Sequence, residues 1–391
     1  MNRKFFVLIA IAVLGLTGCQ KDDEYSGNGI RFSVSTGTEG TKTSYGEATT
    51  NDDGKRTSQD INWTEGDLVR IYCPQASAPS TLFEDYSVTP LSDKANQGKI
   101  EAANNDPLLW SNTAGTLHNF YAVYPSPASM DDGSGFGFSL TSITGDDVNG
   151  EGVAAVVTLD FPQKQKPVEI KDADDSTPTG NYVATPDMRY LYMVAKAKGI
   201  TEPGIKDQVF LSFFPSATAI EFNIQNAYSS QADMNIVEVF LQTPESGIKL
   251  WGTTSTDLAA WKYDTAKPVF STPEETDGVH KVSIPFTKTT DAGDAPTAIA
   301  WKNTATFTFF LPPYVEAKDL TFGITTKVGD EEYATRTTAL SYSTGAPIVF
   351  EAYKKHFVKG ILVPEGATWI VGGDVVVTDW TETPVDLDFD E

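Results

Sequence analysis

The sequence predicts an all-β protein built as two β-sandwich domains. Short runs of alternating apolar and polar residues recur at roughly ten-residue spacing, the pattern of half-buried strands. The runs are bounded by Gly, Pro, Asn and Asp, with 31 Gly and 22 Pro in 391 residues. Apolar stripes of helical period are scarce.

Taken in order, residues 30–34 alternate cleanly, with Ile30, Phe32 and Val34 on one face. Residues 68–73 form a strand-like run ending in Cys73, whose small apolar thiol suits a core position better than a reactive one. Residues 136–140 alternate again. Residues 153–161 are densely apolar, as in a strand covered on both faces. Residues 190–198 fit a short helix or a strand equally. In the second half, 209–214 and 219–224 form a strand pair, followed by runs at 236–241, 279–284, 306–311, 320–326 and 333–338. Polar, Pro- and Gly-containing stretches at 164–185 and 198–207 mark a junction near residue 200. The expected organisation is a leader over 1–18, an acidic tether over 19–29, β domains over 30–199 and 200–380, and a tail over 381–391.

Composition excludes several function classes. With 53 Asp and Glu against 29 Lys and Arg, the net charge is −24. Nucleic acid and anionic lipid both call for a basic surface, so neither is an expected partner. Two Cys cannot build a disulfide framework or a four-Cys zinc site. His118, His280 and His356 stand far apart, and no nucleophile elbow, zinc-helix, P-loop or dinucleotide motif occurs. No enzyme activity, cofactor or metal is expected. The run Asp172-Ala173-Asp174-Asp175-Ser176 resembles the start of a calcium loop. It has Thr177 where glycine belongs and Val183 where a bidentate glutamate belongs, so a solvated linker is the better reading. Trp110, Trp251, Trp261 and Trp301 lie near loop-like stretches and suit either a sugar-stacking platform or a sandwich core.

The N-terminus carries the strongest signal. Asn2-Arg3-Lys4 precedes an apolar run over 5–16, too short to span ~30 Å of hydrocarbon but suited to a signal peptide. Leu16-Thr17-Gly18-Cys19 resembles a bacterial lipobox, which implies diacylglycerol on the Cys19 thiol, further acylation such as palmitate, and an outer-membrane lipoprotein. Gln20-Lys21-Asp22-Asp23-Glu24 reads as a flexible acidic tether. It is also similar to the signal that sends some lipoproteins to the cell surface.

Further motifs follow in a telling order. Residues 61–72 read as strand, acidic-Gly turn, strand, with Trp63, Gly66 and Asp67 at its centre. Asp187-Met188 and Met193-Val194-Ala195 precede Leu211-Ser212-Phe213. Residues 353–361 lead into Pro364-Glu365-Gly366-Ala367-Thr368-Trp369, and the chain nears its end with Val375-Val376-Val377-Thr378-Asp379-Trp380. In this order the motifs resemble the fimbrillin-like lipoproteins, the subunits of type V pili, across the whole mature chain. The resemblance implies two tandem transthyretin-like β-sandwich domains, partnership with other pilus subunits, and adhesion rather than catalysis.

The resemblance also implies an assembly mechanism. An Arg-specific protease removes the anchor and first strand, and a C-terminal strand of another subunit fills the groove by strand addition. Ile30, Phe32 and Val34 are the candidate displaced strand. Val385, Leu387 and Phe389 share one face of the tail, with Asp386, Asp388 and Asp390 on the other, and form the candidate donor. The polar stretch 46–60 reads as an exposed loop, and its Arg56 is the candidate cleavage site. Arg31 and Arg70 fall inside predicted strands and should be protected. Two plainer alternatives stand: the tail folds back on its own domain, and Arg56 is an ordinary loop charge. A second function also stands, a non-polymerising surface lipoprotein that binds glycan or another host ligand.

Overall fold

In the computed structural model, the described residues are 29–36, 42–50, 56–79, 82–129, 139–141, 155–174, 177, 179–201, 208–244, 247–259, 280–290, 293–313, 319–328, 332–340, 348–350, 354–366 and 374–379. They are all-β apart from two short 3₁₀ turns. The strands are β1 Phe32–Thr36, β2 Lys42–Thr50, β3 Arg56–Trp63, β4 Asp67–Tyr72, β5 Phe83–Pro90, β6 Gln97–Ala102, β7 His118–Tyr124 and β8 Ser139–Thr141. Next come β9 Val156–Phe161, β10 Glu169–Asp172, β11 Tyr182–Thr185, β12 Met193–Ile200, β13 Val209–Pro215, β14 Thr218–Ala227, β15 Met234–Thr243 and β16 Gly252–Asp257. The last are β17 His280–Pro285, β18 Thr287–Thr290, β19 Gly293–Ile299, β20 Thr304–Leu311, β21 Thr321–Val328, β22 Glu332–Ala339, β23 Lys354–Pro364 and β24 Asp374–Asp379.

The first core lies inside a closed barrel of order β1-β13-β12-β7-β4-β5-β6. A sandwich was expected here. The sheet closes instead because β1 pairs with β6 on one side and β13 on the other, which leaves no open edge. The small sheet β16-β9-β8 packs on the same core through Ala155, Val157, Leu159 and Phe161.

The second core lies among two larger sheets, β10-β11-β20-β14-β23-β24 and β18-β19-β15-β21-β22, with β17 beside β15. Phe222, Phe307 and Phe322 stack near its centre at centroid separations of 4.6–5.9 Å. Both cores draw strands from across residue 200: β13 completes the barrel, and the β10–β11 hairpin, expected as linker, joins the second sheet system. Gln165 ties the two together. Its amide donates to the Phe310 carbonyl (2.5 Å) and accepts from the Phe310 N–H (2.9 Å).

Three local expectations change. Residues 190–198, which fitted a short helix or a strand, follow the end of a 3₁₀ turn, Met188–Leu191, into β12, whose residues from Met193 to Ala197 pair with β7 from Tyr124 to Phe120. The stretch 46–60, expected as a loop, contributes to the β2–β3 hairpin, with Arg56 opening β3 opposite Thr50. Threonines at 49, 50 and 57 suit that pleated ladder. Arg31 lies just outside β1 with its side chain exposed, although its carbonyl accepts the Val209 N–H. Arg70 is inside β4, as expected, and is held bidentate by Asp85 at 2.7–2.8 Å.

Candidate functional site

The candidate site is the slot that β1 fills. Alternation of Ile30, Phe32 and Val34 with Arg31, Ser33 and Ser35 makes this segment a strand with one apolar face. That face points into the barrel, and all three side chains are at most 3% exposed. Backbone bonds hold the strand on both flanks. It runs parallel to β13 from Phe32↔Val209 to Thr36↔Phe213, and antiparallel to β6 from Phe32↔Ile100 to Ser35↔Gln97. Its ends are tied by Ile30 N–H to the Leu108 carbonyl (2.8 Å) and Thr36 N–H to the Asn96 carbonyl (2.9 Å).

The slot has a graded shape. At its middle, Phe32 sits edge-on to Tyr86 (5.1 Å) and Phe120 (5.2 Å). Tyr86 is fixed by accepting the Leu108 N–H at 2.9 Å. At Val34 the wall has a notch. Gly98, its partner on β6, has no side chain; a Cβ there would lie 2.8 Å from Val88 Cγ1 and 3.4 Å from Val34 Cγ2.

The other face of β1 differs. Ser35 is fully buried, and the Ser33 and Ser35 hydroxyls are buried without a hydrogen-bond partner. Such groups lose hydration without recovering it, at about 1–3 kcal/mol each. Thr36, on the same face as Phe32 and Val34, donates its hydroxyl to the Ile61 carbonyl at 2.7 Å.

The β2–β3 hairpin leads back into this core. Trp63, at the end of β3, is fully buried edge-on to Tyr124 (5.5 Å) and Phe213 (5.3 Å). Gly66 takes φ +84° in the turn that follows, a conformation glycine adopts without strain. Asp67 closes the turn by accepting the Thr64 N–H (2.5 Å) and the Tyr124 hydroxyl (3.3 Å). The Trp63, Gly66 and Asp67 motif therefore anchors the hairpin to the barrel. β24 lies beside β3.

Thus the candidate displaced strand is a buried element, and Arg56 lies downstream of both β1 and β2. Cys19, the export residues Gln20, Lys21, Asp22, Asp23 and Glu24, and the donor residues Val385, Leu387 and Phe389 lie outside the described residues. Sequence reading missed Gly98 and Lys99 of β6, which line the slot. The lone glycine in the alternating run at 97–102 was the available signal.

Other candidates resolve differently. Asp172 accepts the N–H groups of Thr179 (3.0 Å), Asp174 (3.1 Å) and Gly180 (2.7 Å), which hold its carboxyl down to about 2. Its oxygens are spent on its own loop. Among the described residues, no group of three or more His, Cys, Asp or Glu is placed to hold a metal ion. Trp110 is core, edge-on to His118 at 4.7 Å; Trp251 and Trp301 are half-buried, and Trp261 lies outside the described residues. Cys73 is fully buried, and desolvation pushes its thiol up to about 12. Among the described residues, no helix is long and apolar enough to cross a membrane.

No family model and no curated protein matches the chain. Solved structures similar to it include fimbrial and cell-adhesion proteins, the class that the sequence resembles. A protein assigned to cell adhesion from Bacteroides uniformis is 14% identical, with 90% of this chain and 98% of that chain covered and a TM-score of 0.47. A fimbrial protein from Bacteroides vulgatus is 14% identical, over 81% and 93%, with a TM-score of 0.37. The tip fimbrial protein Mfa3 from Porphyromonas gingivalis, truncated at its C-terminus, is 9% identical, over 90% and 99%, with a TM-score of 0.33.

Proposed function

We propose that this chain is a structural subunit, stalk, tip or anchor, of a type V-like pilus that serves cell adhesion. Its body is two tandem transthyretin-like β domains that meet near residue 200, the barrel being the first, with β13 crossing the junction into it and the β10–β11 hairpin crossing into the second. Acylated Cys19 tethers the precursor to the outer membrane, and residues 20–24 carry it to the cell surface. Cleavage after Arg56 then releases β1 and β2 together. The tail of another subunit, through Val385, Leu387 and Phe389, takes the place of β1.

One observation carries this reading: the strand that bridges β6 and β13 lies upstream of an arginine that opens the second strand of a hairpin. Removing it bares two strand edges and the walls formed by Tyr86, Val88, Ile100 and Phe120. Main-chain bonding along both edges would give affinity to any strand that fits. A packed β-rich body without catalytic motifs suits a structural role.

The test is the N-terminus and intact mass of the native protein in sheared filaments and in washed membranes. Filament protein beginning at Thr57 is expected. Protein beginning at acylated Cys19 and found only in membranes would overturn the processed-subunit reading and leave an anchor or a non-polymerising surface lipoprotein.

A further inference from the structure

We infer that the incoming strand enters the slot in the direction opposite to β1, with Val385 seated in the Gly98 notch. This rests on the reading that the tail of a second copy replaces β1. The slot has a direction because its positions differ in size and polarity.

Consider the tail reversed against β1, with Leu387 in the place of Phe32. Val385 then occupies the place of Val34, where Gly98 leaves room for one β-branched side chain. Phe389 falls where Ile30 lies, at the end of the strand. Pro384 replaces Ser35, which removes a buried hydroxyl that has no partner. Proline has no N–H to give the ladder at this second position of the incoming strand, so the reversed strand makes one main-chain bond fewer there. Thr383 falls at Thr36, so its hydroxyl can donate to the same Ile61 carbonyl. Asp386 stands at Ser33, opposite the exposed Lys99 of β6.

Now consider the tail parallel to β1, again with Leu387 at Phe32. Phe389 would take the fully buried place of Val34 beside Gly98 and Val88, where a phenyl ring overpacks a site now filled by valine. Asp390 would take the fully buried place of Ser35, and Glu391 that of Thr36. Two carboxylates would lose water on entering positions now filled by buried hydroxyl side chains. The reversed direction avoids each of these clashes. Pairing type does not separate the two directions, since reversal makes the β13 pairing antiparallel and the β6 pairing parallel.

Two cysteine pairs in the full chain read the direction. Lys99 lies opposite Ser33, so the reversed strand brings residue 386 to it and the parallel strand brings residue 388. Filaments of Lys99→Cys/Asp386→Cys should give a disulfide-linked ladder under mild oxidation, and Lys99→Cys/Asp388→Cys should not. Cys73 is buried and stays out of the exchange. A ladder from the 388 pair alone would overturn the direction while leaving strand replacement intact. No ladder from either pair would overturn strand replacement and this inference together. A second variant tests the notch. Val385→Phe should slow filament growth about tenfold or more, as overpacking of a rigid site implies, while Phe389→Val has the smaller effect. The opposite ranking would refute the assignment.

Discussion

Replacing Gly98 with alanine adds one methyl group to the wall against which β1 packs. The new Cβ would lie 2.8 Å from Val88 Cγ1, 3.1 Å from the Thr89 carbonyl and 3.4 Å from Val34 Cγ2. The first distance is well inside carbon–carbon contact, and Val88 is fully buried, so the strain falls on the core. Overpacking of this kind costs about 1–3 kcal/mol, against a gain of about 0.4–1 kcal/mol from restricting the unfolded chain. The expected net loss is about 1–2 kcal/mol. Val88→Ala alone removes two buried methyl groups and costs about 2–3 kcal/mol with its cavity. The double variant lets the new methyl enter that cavity, so the two losses should fall short of additive by about 1 kcal/mol or more. Urea unfolding followed by tryptophan fluorescence reports the relevant core, because Trp63 and Trp110 both lie in it. Additivity within about 0.5 kcal/mol would refute the notch as the physical limit on side-chain size at Val34.

Other expectations follow from the same geometry. Phe32→Ala deletes a ring buried between Tyr86 and Phe120 and should destabilise the barrel by about 3–5 kcal/mol, measured by the same unfolding assay. His356 is fully buried with neither ring nitrogen hydrogen-bonded, and burial, then Lys354, push its pKa down to about 4. The unfolded chain therefore binds the extra proton first, and stability should fall as pH drops from about 6.5 to about 4, by on the order of 3 kcal/mol; His356→Leu should flatten that part of the stability–pH curve. The Lys355 ammonium is fully buried against Glu221 at 2.8 Å, so Glu221→Gln should cost about 3–5 kcal/mol in equilibrium unfolding, while Lys355→Met/Glu221→Leu should recover most of it. The Cys73 thiol should resist a thiol reagent at pH 8 in the native state and react on unfolding; fast native labelling would contradict its burial.

Much of the fold was legible in the chain. The alternation of Ile30, Phe32 and Val34 announced a strand with one apolar face, and Trp63, Gly66 and Asp67 announced a turn between strands, because side-chain period and backbone φ are local properties. That strands and not α-helices make up the described residues was legible for the same reason. Partners across a sheet were not legible. Nothing near residue 32 indicates that Val209 and Ile100 flank it, since pairing depends on which distant edges remain open once the rest has packed. Hence a sandwich was expected where a barrel closes, and a polar linker where β10 and β11 join the second core. Polarity misled at 46–60, because main-chain pairing such as Thr50 with Arg56 builds a hairpin without requiring apolar side chains. The sequence alone determined the acidic charge, the lipobox resemblance and the two alternating end segments. Only the tertiary structure decided that the first of these segments fills a slot between β6 and β13, and that Gly98 leaves a notch in it beside Val88, because a notch is the space left between side chains far apart in the chain.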